Sequence, residues 1–127
     1  MNVLRYGGLW WTLGFALALL ILLGSLMPPG EGDPAFPDKL LHFLAYALLG
    51  GWFAALSSHR VAVFLLVLAW GGMIELLQGL TPLRQPEWLD LAANAAGAAC
   101  GVFIARLLPD SPFALIESLI PEPRHGQ

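Results

Sequence analysis

From Leu9 to Met27 the chain carries no charged residue. At about 1.5 Å of rise per residue, a helix over this stretch spans the roughly 30 Å hydrocarbon core of a bilayer. Lipid offers no partners for backbone N–H and C=O groups, so such a segment must be helical, and its neighbours must fold around it on the same terms. Arg5 precedes it, and Trp10 and Trp11 stand at its start, where interfacial aromatics belong. Its apolar part is longer than the core of a secretory signal, and neither an A-x-A site nor a lipoprotein-type cysteine follows, so it reads as a retained first helix. Composition extends the constraint to the whole chain. Only 12% of the 127 residues are charged, against about 25% in a soluble domain. With 57% hydrophobic residues and a mean hydropathy of +0.70, this is one small polytopic membrane domain.

Further spans follow in order. Pro28 to Pro37 is a loop, kept out of the hydrocarbon by proline, glycine, Glu31 and Asp33. Pro37 and Asp38 suit a helix start, which predicts a second helix from about Asp38 to Ser58. The short turn at Ser58, His59 and Arg60 makes the third helix, Val61 to about Leu80, its antiparallel neighbour. The fourth runs from about Trp88 to Leu108. The expected fold is therefore all-α: a four-helix transmembrane bundle over residues 1–110. Residues 111–127 add a short interfacial helix and a disordered tail. In that helix Ser111 is the expected cap, and Phe113, Leu115, Ile116, Leu119 and Ile120 form an apolar side opposite Glu117 and Ser118. Four crossings put Arg5, Arg60, Arg106 and Arg124 on one side, and Lys39 and Arg84 on the other. The positive-inside rule then predicts both termini on the cytoplasmic side.

That topology sorts the polar residues. Asp38, Lys39, His42 and Tyr46 begin the second helix at helical spacing, Glu75 and Gln78 end the third, and Asp90 and Asn94 open the fourth. Arg84 lies in the turn between the last two. All of these fall in one layer at the outer ends of three helices. Ionisable residues within spans are costly and by default mark function. Lys39 or Arg84 is expected to neutralise Glu75, and both suit a phosphate or carboxylate of a ligand. His42 and Glu75 are the candidate acid/base pair, while Gln78 and Asn94 would orient a ligand. The plainer reading is a set of helix-end charges that pair and fix register.

Several classes are excluded. There is no nucleophile elbow, H-E-x-x-H or P-loop, and a net charge of −3 gives no basic face for nucleic acid. The lone Cys100 is a packing residue. No recognised ligand spacing supports a metal on His42, Glu75 and Asp90, so neither metal nor cofactor is expected. Gly97 and Gly101 form a G-x-x-x-G step extended by Ala93, and Gly71 and Gly72 do the same below Glu75. These are helix-packing positions, and whether Gly97 and Gly101 pack within the chain or between two copies stays open.

The series Asp38-Lys39-x-x-His42-x-x-x-Tyr46, then Glu75-x-x-Gln78, Arg84, Asp90, Asn94, Gly97 and Gly101 resembles the VanZ-like family. These are small bacterial membrane proteins named after a teicoplanin-resistance protein. The resemblance runs from about Pro37 to Gly101, and Gln85 to Trp88, the Glu31 loop and the tail fall outside it. It implies a bacterial inner (cell) membrane and a role at the cell envelope without implying a reaction. The expected partner is a membrane lipid or lipid-linked cell-wall precursor, or a lipid-tailed glycopeptide bound at the polar layer. The alternative is an intramembrane enzyme acting on a lipid-linked substrate through His42 and Glu75.

Overall fold

The computed structural model describes residues 4–28, 35–82 and 85–121. Its elements are α1 (Gly7–Leu26), α2 (Ala35–Leu56), α3 (Arg60–Gly79), α4 (Trp88–Leu107) and α5 (Pro112–Ser118). All four long helices are long and apolar enough to cross a membrane. The chain is thus an all-α, multi-pass helical bundle. The expected boundaries hold within a few residues, the largest difference being at α2. That helix starts at Ala35, so Pro37 lies inside its first turn rather than ending the loop. The loop residues Glu31 and Asp33, the turn residue Arg84 and the tail from residue 122 lie outside the described residues.

The closest contact joins α2 to α4, and glycine makes it possible. A Cβ on Gly50 would stand 2.8 Å from the Ala98 carbonyl oxygen. One on Gly97 would collide with the Phe43 carbonyl, and one on Gly101 with the Ala47 carbonyl. The two backbones therefore touch along a seam of small residues, as van der Waals-driven packing in lipid favours. The Gly97 and Gly101 contact is made inside the chain, with Ala98 rather than Ala93 as its buried alanine. Gly71 is also a close-approach site, against the Tyr46 ring and Asn94, whereas Gly72 meets nothing. Tyr46, Leu49, Ala54, Val63, Val67, Ala98 and Ala105 form the core.

Helix α1 is apolar all round, and only 6% of its spanning window is buried inside the chain. Gly14 lets it settle against Trp52 and Phe53. At its start Trp10, Trp52 and Phe113 pack as an aromatic corner, with Phe113 centroids 4.7 Å from Trp10 and 4.8 Å from Trp52. Helix α5 is drawn into that corner. Its Ser111 hydroxyl donates to the Ala55 carbonyl at 3.1 Å instead of capping the helix. Glu117 does not face away from the protein either: its carboxylate accepts from the backbone N–H groups of Arg5 (2.7 Å) and Tyr6 (2.9 Å) and from the Trp10 indole (2.8 Å). The exposed side of α5 is the apolar one, with Leu115 and Leu119.

Candidate functional site

The start of α2, the end of α3 and the start of α4 meet at one end of the bundle. They bring together Asp38, Lys39, His42, Tyr46, Glu75, Gln78, Asp90 and Asn94. Five polar residues of this set are nine-tenths or more buried: His42, Glu75, Gln78, Asp90 and Asn94. Tyr46 is 1% exposed. Helical spacing explains the α2 face: Lys39 and His42 meet α4 at Asp90 and Asn94, and Tyr46, one turn on, lies against Gly71 of α3.

At the mouth, Lys39 Nζ bonds Glu87 Oε2 at 2.6 Å and also bonds Asp90 Oδ1. Of the two partners expected for Glu75, Lys39 is bonded to Asp90 and Glu87 instead, because Glu87, just before α4, lies over the start of α2. Lys39 is consequently not free to take a phosphate. Glu87 lies outside the spans, and its hydrogen bond to the Lys39 ammonium holds its carboxyl below the usual carboxylate range. With Asp38, Glu87 and Asp90 around one lysine, the described part of the mouth is acidic. Arg84 is outside the described residues.

One layer deeper, His42 Nδ1 donates to Asn94 Oδ1 at 2.9 Å. Its other nitrogen, Nε2, faces carboxylate oxygens of Asp90 at 3.8 Å and Asp38 at 3.9 Å. His42 is thus tied to Asn94 and Asp90, not to Glu75, so the acid/base pair expected from the sequence does not form as a direct contact. Gln78 is committed elsewhere: its amide donates to the Ser25 carbonyl at 2.7 Å and ties α3 to the end of α1.

Deepest of all are three groups with no hydrogen-bond partner among the described residues: the Tyr46 hydroxyl, both oxygens of Glu75, and Asn94 Nδ2. They come from three helices. Gly71 lies beside two of them, since a Cβ there would sit 2.9 Å from the Tyr46 ring and 3.0 Å from Asn94 Nδ2. The Glu87 backbone N–H points toward Glu75 from outside hydrogen-bond geometry. Each unsatisfied buried group costs about 1–3 kcal/mol, more when charged. Native proteins leave few of these without a reason.

A cavity of about 730 Å³ and an apolar cleft of about 420 Å³ lie toward the other end of the bundle, and neither is lined by a residue of the cluster. Sequence reasoning missed Glu87, which belongs to no helix face, and Ser25, which takes part through its backbone carbonyl alone. The chain matches no protein-family model, no curated protein and no solved structure.

Proposed function

We propose that this protein binds the polar head of a lipid-linked envelope component at the end of the bundle where α2, α3 and α4 meet, in the manner the VanZ-like resemblance implies. The observation that carries the reading is the trio of Tyr46, Glu75 and Asn94, whose buried hydroxyl, carboxylate and amide nitrogen have no hydrogen-bond partner among the described residues. A donor-and-acceptor set of that kind complements hydroxyl and amide groups, as in the sugar and peptide head of a cell-wall precursor or a lipid-tailed glycopeptide. The acidic mouth adds affinity for an ammonium on the same head group. The Lys/Arg distribution supports a reading in which this end faces outward across the inner membrane, with both termini in the cytoplasm.

Binding without chemistry is the favoured form of this reading. His42 and Glu75, the acid/base pair of an intramembrane enzyme, make no direct contact, and His42 is held instead by Asn94. The test incubates the purified protein with an envelope lipid extract and analyses the lipids by mass spectrometry. The expected result is retention of a lipid of unchanged mass, lost in Glu75→Gln. A lipid whose mass changes on incubation would replace the binder with an enzyme. Equal retention by Glu75→Gln would remove the trio from the binding site.

A further inference from the structure

We infer that Asp38, His42 and Asp90 form a binding site for a divalent transition-metal ion at the mouth of the polar cluster. One carboxylate oxygen from each aspartate and one His42 nitrogen all lie within 4.8 Å of one another. The inference goes beyond head-group binding, since the ion can occupy these ligands with or without a lipid.

The histidine carries the argument. Its Nδ1–H is spent on Asn94 Oδ1 at 2.9 Å. In the neutral tautomer the lone pair is therefore on Nε2, which lies 3.8 Å from an Asp90 oxygen and 3.9 Å from an Asp38 oxygen. Two carboxylates and a lone pair this close repel one another unless a positive charge lies among them. His42 is only 8% exposed and Asp90 only 5%, so water cannot freely supply that compensation. Metal-ligating histidines show the same arrangement, with the second ring nitrogen donating to a fixed oxygen that sets tautomer and ring orientation. Here Asn94 fills that role.

The distances fit once the side chains close. Bonds of about 2.0–2.2 Å to N and O donors put tetrahedral ligand atoms about 3.3–3.5 Å apart. The two His42–aspartate distances, 3.8 and 3.9 Å, need to close by roughly half an ångström, and the aspartates by up to about 1.4 Å from the 4.8 Å within which the whole set lies. One imidazole with two carboxylates suits Zn²⁺ or Mn²⁺ better than Mg²⁺, which prefers oxygen donors alone. Three protein ligands leave a coordination position open for water or an anionic oxygen.

Lys39 is the built-in competitor. Its ammonium bonds Asp90 and reaches Asp38 at 4.0 Å, so it partly fills the charge deficit that the ion would fill. Glu87 offers it a second partner at 2.6 Å, to which it can withdraw when an ion enters. Exchange of a lysine for a metal would change an acidic mouth into one that accepts phosphate.

The test uses the full-length protein in phosphatidylcholine nanodiscs, stripped with a chelator. It is titrated with ZnCl2 by calorimetry and with MnCl2 by electron paramagnetic resonance, with MgCl2 in parallel. One Zn²⁺ or Mn²⁺ per chain should bind, with Mg²⁺ weaker. His42→Gln and Asp90→Asn should each weaken binding by about a hundredfold or more, and Asn94→Ala by about ten- to a hundredfold. Lys39→Met removes the competing charge and should tighten binding at least about tenfold, a gain that a damaged fold cannot mimic. No saturable binding by the native protein would overturn the inference. So would binding untouched by His42→Gln and Asp90→Asn, or no gain in a folded Lys39→Met protein.

Discussion

Two glutamates mark opposite ends of this bundle, and the fold treats them differently. Glu117 accepts from two backbone N–H groups and the Trp10 indole, and so pins the N-terminal segment to α5. Glu75, only 7% exposed, accepts nothing among the described residues. A carboxylate that fixes structure is saturated with donors, because an unmet buried acceptor costs more than a met one returns. Glu75 breaks that rule deep inside a span, and the Tyr46 hydroxyl and Asn94 Nδ2 are likewise unpartnered among the described residues. The contrast separates a saturated joint from an unsatisfied polar cluster within one short chain.

The largest expected effect falls on the seam that holds the two ends together. Gly101→Val drives a branched side chain into the Ala47 carbonyl and must part α2 from α4. Overpacking of this kind should cost about 3 kcal/mol or more, read as failure to resist unfolding by SDS or to accumulate in the membrane. Normal stability in that variant would mean that the two ends do not depend on the seam.

Next comes the contrast itself. Glu117→Gln should lower the melting temperature in detergent by several degrees, because it weakens charge-assisted bonds. Glu75→Gln should leave stability unchanged or raise it, because no bond is lost and a buried charge is removed. Equal losses in both variants would erase the distinction.

Acidification sharpens the same point at the α5 end. Partial burial opposes the charge on Glu117, but the N–H groups of Tyr6, Trp10 and Arg5, with the Arg5 charge, outweigh it and hold its carboxyl below the usual value of 4.5. A depressed folded value means that its stabilising effect is full above about pH 4.5 and fades as pH falls through the folded value. Tryptophan fluorescence from the Trp10–Trp52–Phe113 corner should change over that acidic range in the native protein, and the step should vanish in Glu117→Gln.

The smallest effect is expected at Tyr46. Its hydroxyl makes no bond to lose, so Tyr46→Phe should shift stability by no more than about 0.5 kcal/mol, while weakening head-group binding by up to about tenfold. A marked loss of stability would show that the hydroxyl has a structural partner.

Helix number, order and the polar layer were legible in the sequence, because each follows from periodicity and strict alternation across a bilayer. Asp38, Lys39, His42 and Tyr46 needed only the helical repeat, and their meeting with Asp90 and Asn94 needed only the count of crossings. What was not legible depends on contacts without a period. Lys39 chose Glu87 and Asp90 over Glu75 because of how one turn folds. Glu117 faces inward because the short α5 takes its orientation from the aromatic corner and the N-terminal amides, not from the pattern of its own side chains. Gly71 reads as a packing glycine, and only the folded chain shows that the missing Cβ leaves room beside Tyr46 and Asn94.

The seam joins helices that are not neighbours along the chain, and this sets an order of events at the ribosome. Helix α2, with a hydropathy of 1.4 against 2.1 for α1, enters the bilayer before the helix it packs on has been made. During that interval Asp38, Lys39 and His42 stand in or near lipid without Asp90, Asn94 or Glu87 to meet them, a costly condition for ionisable groups. Only synthesis of the last span ends it. A chain interrupted after α3 has every span needed to stay in the membrane but lacks the α4 partners Asp90 and Asn94 that Lys39 and His42 meet in the finished fold.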